Sequence, residues 1–144
     1  MEVAQGSKIS MIKISVKDSK YATGRRKTSI AKIWLKKGSG QISINGKDYK
    51  EYFKRANHKM QLLRPFEILN ESTSYDVRCS VSGGGLSGQV GAMVHGISKA
   101  LVMFDSNSKE TLKKEKLTTR DSRAVERKKY GRRKARRSFQ FSKR

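Results

Sequence analysis

Residues 75–104 read YDVRCSVSGGGLSGQVGAMVHGISKALVMF and hold the two hydrophobic patterns that decide the fold. Over Tyr75–Val81 apolar and polar side chains alternate, which predicts a strand with one buried face. After three glycines, apolar side chains recur every three or four positions from Val90 to Phe104, which predicts an amphipathic helix. The opposite side of this helix, with Gly88, Ala92, His95 and Lys99, is small or polar, so we expect another backbone or a polar surface to approach it closely.

Two further strands and four short helices are predicted around this pair. Thr28–Leu35 and Gln41–Asn45 have the apolar content of strands, and the four-residue break between them indicates a hairpin. The helices are predicted from capping residues and from the position of the proline. They run from Asp48 to Phe53, from Pro65 to Leu69, from Asn107 to about Leu117, and from Thr118 or Thr119 to Gly131.

These segments predict an α+β fold built in layers. A chain of 144 residues is long enough for one domain and an appendage. We divide it into an N-terminal extension over residues 1–20, a globular α+β domain over residues 21–119, and a basic helix with an extended C-terminal tail over residues 120–144.

The net charge restricts the class of partner. The sequence has 34 Lys and Arg against 12 Asp and Glu, a formal net charge of +22. Because such a chain repels itself when compact, we expect a polyanion to neutralise it, either nucleic acid or an anionic membrane surface. No apolar run approaches the roughly 20 residues that span a bilayer, and no signal-peptide pattern opens the chain. We therefore expect a soluble or peripheral protein.

The C-terminal residues carry much of this charge. Residues 120–144 contain 12 Lys and Arg and two acids, and eight of the 12 cations are arginines. Arginine binds phosphate bidentately and stacks on bases, so this composition favours RNA. Apolar residues are too few to fold this tail alone, and we expect it to be disordered without a partner. Tyr130, Phe139 and Phe141 are candidates for stacking on bases or docking onto protein.

The stretch Gly83-Gly84-Gly85-Leu86-Ser87-Gly88 matches the G-x-G-x-x-G pattern of dinucleotide-binding folds. In those folds an acid at the end of a second parallel strand binds the ribose. Here Asp105, 17 residues beyond Gly88, follows a predicted helix, which argues against a dinucleotide. Two interpretations stay open: a seat for an RNA phosphate at the helix N-terminus, or a tight turn packed on the sheet.

No catalytic, cofactor or metal site is predicted. His58, His95 and Cys79 do not have the spacing of metal ligands, and no pair of carboxylates accompanies a histidine. His95 is predicted to be a surface or packing histidine. Cys79, the single cysteine, is predicted to be a small core residue, and it allows no intrachain disulfide, which suits a reducing compartment.

Several motifs occur together in an order that is typical of one family. They are Ala22-Thr23-Gly24-Arg25-Arg26-Lys27-Thr28-Ser29, Ser82–Gln89 followed by Gly91-Ala92 and His95-Gly96-Ile97, Leu117–Asp121, and Glu126–Gly131 followed by Gln140–Arg144. With them, the chain from about Tyr21 to Arg144 closely resembles the universal small-subunit ribosomal protein nine (uS9) family. The ending resembles the bacterial and organellar branch of that family.

The resemblance implies a ribosomal S5 domain 2-like fold and a non-catalytic role in translation. Its members lie in the head of the small ribosomal subunit on rRNA, beside neighbouring head proteins, and their tail reaches toward the peptidyl-site tRNA. The implied location is the ribosome of a bacterial cytoplasm or of an organelle, either the mitochondrial matrix or the plastid stroma. The implied partners include no membrane and no small-molecule substrate.

The candidate site residues come from the basic stretches, from the stretch Gly83–Gly88, which we call the glycine loop, and from the resemblance. The predicted tRNA contacts are Ser142, Lys143 and Arg144. The predicted rRNA contacts are Arg25, Arg26, Lys27, Gly84, Gly85, Gln89, His95, Arg120, Arg123, Arg127, Lys128, Lys129, Tyr130, Arg132, Arg133, Lys134, Arg136 and Arg137.

Two other functions are considered. A free-standing, chromatin-like nucleic-acid binder would bind duplex DNA as well as RNA, and a competition titration separates it from a ribosomal protein. A small nucleotide-binding enzyme would require the loop Gly83–Gly88 to hold a dinucleotide, which would then raise the melting temperature.

Overall fold

The computed structural model describes residues 18–71 and 74–143. The secondary structure within these ranges confirms a mixed α+β fold. In chain order the elements are β1 (Lys20–Arg26), β2 (Ser29–Lys37), β3 (Ile42–Ile44), β4 (Lys47–Asp48), α1 (Tyr49–Tyr52), α2 (Ala56–Ile68), β5 (Tyr75–Ser82), α3 (Leu86–Phe104) and α4 (Ser108–Lys114). Most of the predicted extension, residues 1–17, lies outside the described residues, and Lys20 already belongs to β1.

The five strands form one sheet in the order β1-β2-β5-β3-β4. Neighbouring strands pair antiparallel except β3 and β5, which run parallel. The predicted hairpin between β2 and β3 is wrong, because β5 lies between them. Val77 of β5 pairs with Leu35 on one side and with Ile42 on the other.

The carboxylate of Asp76 on β5 holds the loop that crosses from β2 to β3. Asp76 Oδ1 accepts hydrogen bonds from the backbone N–H of Ser39 at 2.8 Å and from that of Gln41 at 3.0 Å. Gly38 lies directly against this carboxylate, since a Cβ there would be 2.0 Å from Asp76 Oδ2. The break that predicted a tight turn is therefore a crossing loop over the end of β5.

The core lies between one face of the sheet and α3. On β2 the inward side chains of Ala31, Ile33 and Leu35 are fully buried, as the alternating pattern predicts. The small side of α3 touches the backbone of β1: a Cβ on Gly24 would lie 1.8 Å from the Ala92 carbonyl oxygen and 2.5 Å from the Gly96 nitrogen. The expected close approach of another backbone is thereby confirmed.

Helix α2 begins nine residues before the position predicted from Pro65, which lies inside the helix rather than in its first turn. A proline at this position removes one backbone donor from the helix interior. Its ring is fully buried beside Leu62 and Phe66, and this burial offsets the lost hydrogen bond.

Two predicted N-caps differ in detail. Asp48 precedes α1 as predicted, but its side chain makes no capping hydrogen bond. Asn107 before α4 already has helical backbone angles, φ −67° and ψ −30°, so its side chain does not cap the helix. Asp105 replaces it, because its carboxylate accepts from Asn107 N–H at 3.0 Å and from the Ser108 hydroxyl at 2.9 Å.

The basic helix predicted from Thr118 or Thr119 to Gly131 is wrong. Residues 117–129 have neither helical nor strand structure, and a turn follows at Tyr130 and Gly131. A short helix in water is stable when it buries an apolar face, and this stretch has no such face. Val125 is 87% exposed and Tyr130 is fully exposed. The division into an extension, a domain and a tail remains a prediction.

Candidate nucleic-acid interface

The turn between β1 and β2 carries the first predicted cations and is held against α3. A Cβ on Gly91 would lie 2.3 Å from Cδ of Arg26, so the aliphatic part of Arg26 crosses α3 at this glycine. Lys27 occupies the turn with φ +52°, a left-handed conformation that costs about 1–2 kcal/mol in a residue with a side chain. The packing of Gly24 on α3 therefore places three consecutive cations, Arg25, Arg26 and Lys27, beside the first turns of the helix.

A cleft of about 660 Å³ lies between this turn, α2, α3 and the chain that follows α4. We call it the basic cleft. It brings together five of the predicted rRNA contacts, which are far apart in sequence: Arg25, Arg26, His95, Arg120 and Arg123. The other lining residues are Gln61, Arg64, Gly91, Val94, Lys116, Leu117, Thr119 and Asp121.

Asp121 is the single acid among the described residues that line the basic cleft, and two arginines hold it. Its carboxylate lies 2.8 Å from the Arg123 guanidinium and 3.4 Å from that of Arg26. Hydrogen bonds from Arg123 lower the pKa of Asp121 well below its usual range, and the charge of Arg26 adds to this effect. Asp121 therefore stays ionised and fastens the chain after α4 to the β1–β2 turn.

His95 lies half-buried on α3 at the edge of the basic cleft. Its Nδ1 accepts a hydrogen bond from the backbone N–H of Arg25 at 3.4 Å. Burial lowers the pKa of His95 below its ordinary value, and the charges of Lys99 and Arg120 lower it further, whereas a hydrogen bond with the Thr118 backbone raises it. The prediction of a packing histidine agrees with this position, and the neutral ring joins β1, α3 and the chain after α4.

A second hollow of about 360 Å³ lies at the N-terminus of α3. We call it the glycine pocket. Gly84 and Gly85, two of the predicted rRNA contacts, line it together with Lys27 of the β1–β2 turn. Gly84 has φ +61°, and a Cβ there would lie 2.1 Å from the Ser29 hydroxyl. The remaining lining residues are Thr28, Ser29, Arg55, His58, Leu86, Ser87 and Gly88.

The half-buried side chain of Gln89 stabilises the glycine loop through hydrogen bonds. Its side-chain amide donates to the Gly83 carbonyl at 3.1 Å, and its amide oxygen accepts from the Tyr52 hydroxyl at 2.8 Å. The Ser29 hydroxyl donates to the same Gly83 carbonyl at 3.1 Å. The structure thus places Gln89, a predicted rRNA contact, in a positioning role for the loop.

A histidine and a serine meet in the glycine pocket without forming a catalytic arrangement. His58 Nε2 lies 3.2 Å from the Ser87 hydroxyl. The other ring nitrogen, Nδ1, is buried and has no hydrogen-bond partner among the described residues. A catalytic histidine uses that nitrogen to bind an orienting acceptor, and residues 18–71 and 74–143 supply none.

Residues 120–143, which we call the basic segment, lie almost entirely on the surface. The predicted rRNA contacts from Arg127 to Arg137 are spread along it rather than gathered into a pocket. Part of the segment closes on itself, because Arg133 N–H donates to the Arg137 carbonyl at 2.8 Å and Arg132 donates to the Ser138 hydroxyl at 2.9 Å. Of the predicted tRNA contacts, Ser142 and Lys143 are exposed, and Arg144 lies outside the described residues.

Three cations of these two sites were missed by the sequence analysis: Arg55, Arg64 and Lys116. Arg55 is the N-cap of α2, and Arg64 lies inside this helix. The helix predicted from Pro65 to Leu69 includes neither of them. Arg64 also forms an ion pair of 2.7 Å with Glu115. A correct position for α2 would have revealed that its exposed side faces the chain after α4.

Cys79 is buried, and this burial raises the pKa of its thiol. No three His, Cys, Asp or Glu side chains of the described ranges gather where they could hold a metal ion. No helix within those ranges has the length and apolar character required to cross a bilayer.

Comparison with known families supplies the identification. The sequence model described as "Ribosomal protein S9/S16" matches residues 24–144. This range includes the β1–β2 turn, the glycine loop, α3 and the basic segment, and it covers far more than half of the chain. The chain therefore belongs to the ribosomal protein S9/S16 family.

Proposed function

We propose that this small-subunit ribosomal protein is a structural constituent of the subunit head, that its two basic hollows hold rRNA, and that its C-terminal residues reach the peptidyl-site tRNA. Membership of the family makes the protein an rRNA-binding component of the ribosome. The position in the head, the particular contacts and the tRNA contact belong to the proposal, as does an arrangement of the ribosomal S5 domain 2-like type with a basic tail.

The observation that carries the proposal is the composition of the basic cleft. Five arginines and one lysine converge there, while Asp121 is the single acid of the lining. Guanidinium groups bind phosphate in a bidentate way, so such a cleft suits two approaching RNA backbones. In this arrangement Asp121 holds Arg26 and Arg123 in place before RNA arrives.

The glycine pocket supports a second phosphate contact. Helix α3 has 19 residues, and its N-cap, Gly85, offers no side chain to its first free N–H groups. Helix N-termini of this kind attract anions, and Lys27 and Arg55 add positive charge on either side. The rRNA contacts proposed here are the N–H groups that follow Gly84 and Gly85.

The basic segment supports the tRNA part of the proposal through its charge and exposure. It makes few contacts with the folded domain, so most of its cations are available to phosphates. We assign Ser142, Lys143 and Arg144 to tRNA, and the cations from Arg127 to Arg137 together with Tyr130 to rRNA. The resemblance of the ending to the bacterial and organellar branch supports a ribosome of one of those compartments.

A pair of double variants tests the cleft. We expect Arg25→Gln with Arg120→Gln to weaken binding to a small-subunit rRNA transcript and to make the salt dependence shallower. Each lost phosphate contact lowers the slope of log K against log salt by roughly 0.7–0.9. Lys109→Gln with Lys113→Gln removes the same charge from α4, away from the cleft, and should leave the slope unchanged. Equal losses in both pairs would contradict the proposed cleft contacts.

A shortened chain tests the tRNA contact. We expect a protein that ends at Phe141 to enter small subunits normally and to weaken retention of peptidyl-site tRNA. Lys143→Gln with Arg144→Gln keeps the length of the chain and removes the charge. This double variant therefore shows whether length or charge determines the retention of tRNA. Unchanged tRNA retention in ribosomes carrying either variant would exclude the contact.

A further inference from the structure

The sheet has a second face, opposite to α3, that neither hollow includes. Its side chains are the outward residues of β1, β2 and β5, and its centre is formed by Tyr21, Trp34 and Arg78 with Lys32 and Ser80 beside them. We call it the outer sheet face. The alternation along β2 assigns these residues, since Ala31, Ile33 and Leu35 between them are buried on the opposite side.

Three residues of the outer sheet face form one row across three strands. Tyr21 pairs with Trp34, and Trp34 pairs with Arg78. The two aromatic rings lie with centroids 5.2 Å apart at an interplanar angle of 46°, and the Arg78 guanidinium lies 5.7 Å from the centre of the Trp34 ring. Rows in a sheet follow each other about 7 Å apart, so Lys32 and Ser80 form the next row beside this one.

Apolar surface on this face remains exposed to solvent. Tyr21 is 44% exposed, and its neighbour Trp34 is half-buried. Ile30, two rows farther along β2, is 38% exposed. Flat aromatic surface of this kind beside cations is the arrangement on which unpaired bases stack. The hydrophobic core does not include this exposed surface, because the core is formed by the opposite face of the sheet.

The charge of the outer sheet face selects the partner. Lys32 and Arg78 form no ion pair within the described residues, while Lys36 lies 3.8 Å from Asp18. The acid of β5 on this face, Asp76, is occupied by the crossing loop through hydrogen bonds from Ser39 and Gln41. Three cations, Lys32, Lys36 and Arg78, stand against the two acids Asp18 and Asp76, so the face carries one net positive charge, which favours a polyanion.

We propose that the outer sheet face binds unpaired nucleotides of RNA, with bases stacked on Trp34 and Tyr21 and phosphates met by Lys32 and Arg78. This inference rests on the proposed function, which gives RNA as the class of partner. It adds to that function a binding surface separate from the two hollows. Paired bases in an RNA duplex are already stacked and turned inward, so a flat sheet cannot reach them. The proposed ligand is therefore a single-stranded stretch, whereas the two hollows bind phosphates irrespective of pairing.

Trp34 is the single tryptophan of the sequence, so its fluorescence reports on this face alone. The full chain is titrated with a fluorescein-labelled 12-nucleotide unpaired RNA and with the same RNA annealed to its complement, and anisotropy reports binding in both cases. We expect the unpaired RNA to quench Trp34 strongly and the duplex to bind with little quenching. Unchanged Trp34 emission while anisotropy shows the unpaired RNA bound would overturn the proposal and leave the proposed function intact.

Variants separate stacking from general affinity. Trp34→Leu keeps an apolar side chain but cannot stack, and it should weaken binding of the unpaired RNA about 5- to 100-fold while the duplex affinity stays within about twofold. Trp34→Phe should restore most of the loss, and Met60→Ala, an exposed apolar change on α2, should have no effect. Equal losses for unpaired and duplex RNA would overturn the proposal, whereas no binding of either RNA by the unaltered chain would overturn the proposed function as well.

Two other occupants of the face would give different results. If a chain that begins at residue 18 shows quenching that the full chain lacks, residues 1–17 cover the face and the proposal fails for the full chain. In assembled small subunits we expect Trp34 to be protected from oxidation and to become reactive after ribonuclease treatment. Protection that survives ribonuclease but not protease would assign the face to a neighbouring protein and overturn the proposal.

Discussion

The folded domain and the basic segment carry similar excess charge but are held in place by different forces. Residues 21–119 have a net charge of +10 spread over 99 residues, and residues 120–144 have the same net charge on 25 residues. Every buried hydrophobic residue of the described ranges lies between Ala22 and Leu112, whereas Val125, Tyr130, Phe139 and Phe141 are exposed. The domain can offset its repulsion by burying apolar surface, and the segment depends on polar contacts and on its partner.

Few contacts join the two regions. The ion pair between Asp121 and Arg26 ties the start of the segment to the β1–β2 turn, and the charge of Arg120 acts on His95 of α3. Farther along, Glu126 pairs with Lys129 and lies 3.0 Å from Arg136, so these contacts stay within the segment. Changes in the domain should therefore alter stability, and changes in the segment should alter binding.

The largest effect is expected for Gly24→Ala. The new Cβ would lie 1.8 Å from the Ala92 carbonyl oxygen, which is backbone and cannot turn aside as a side chain does. Forced overpacking typically costs about 1–3 kcal/mol and occasionally more, and we expect the upper end of this range or loss of the fold. Urea unfolding followed by circular dichroism measures it.

Gly85→Ala is the matched control for this change, because a Cβ at Gly85 meets nothing within 4 Å. We expect a much smaller loss of stability than for Gly24→Ala, up to about 1 kcal/mol, because alanine is less favourable than glycine at the N-cap of α3. A stable Gly24→Ala variant would show that β1 can move away from α3, and the argument that this contact places the cations would be wrong.

The next effect is expected when the chain is ended at Glu126. This change removes most of the cations of the basic segment, including all nine Lys and Arg between Arg127 and Lys143, but no buried side chain. If these nine cations meet phosphates, affinity for rRNA falls by roughly 10³–10⁵ between 50 and 200 mM salt in the full chain, and the shortened chain should lose most of this dependence. Filter binding at several salt concentrations measures it.

The same truncation should leave the melting temperature of the free protein nearly unchanged. A marked loss of thermal stability would mean that the segment contributes to the fold, and the contrast between the two regions would disappear. Lys109→Gln in the full chain provides a control for a small change of charge that lies outside the segment.

The strands β2 and β5 and the helix α3 were predictable from the sequence, whereas β1 and most of α2 were not. β2, β5 and α3 show their buried faces as periods of two and of nearly four. The inward positions of β1 are Ala22 and Gly24, which are small because α3 lies against them. The sequence of β1 therefore has no alternating hydrophobic pattern from which a strand could be predicted. The order of the strands was equally unpredictable. The loop that crosses β5 is held by hydrogen bonds to Asp76 from residues that are 35 to 37 positions away in the sequence.

The cations of the candidate site were predictable one stretch at a time, but their meeting was not. Arg26 and Arg120 are both parts of basic motifs, yet their convergence requires the packing of β1 on α3 and the path of the chain after α4. The lack of a helix over residues 117–129 has the same cause: the charge of the segment predicted that it binds RNA but did not determine its conformation.

A smaller effect is expected for Asp121→Asn, which removes the tie between the two regions. It frees Arg26 and Arg123 and makes the basic cleft more positive, so we expect several-fold tighter but less specific RNA binding and faster amide exchange around residues 118–125. Because the pKa of Asp121 is lowered in the folded protein, its contribution is present above the ordinary aspartate pKa and is lost as the pH falls through the folded value. Between pH 5 and 8 the tie should therefore be constant, and a change in exchange over that range would contradict this assignment.

The smallest effect concerns His95, which reports on the docking of the basic segment. Its pKa is lowered by burial and by Lys99, so the neutral form is favoured in the folded protein. The associated stability is present above the unfolded histidine pKa of about 6.5 and is lost as the pH falls through the folded value. Proton NMR titration of the two histidines, assigned with His95→Gln, should show this resonance titrating below the ordinary value. Phosphates bound in the basic cleft favour the charged ring, so rRNA should raise the pKa of His95, and an unchanged value at saturation would place the RNA elsewhere.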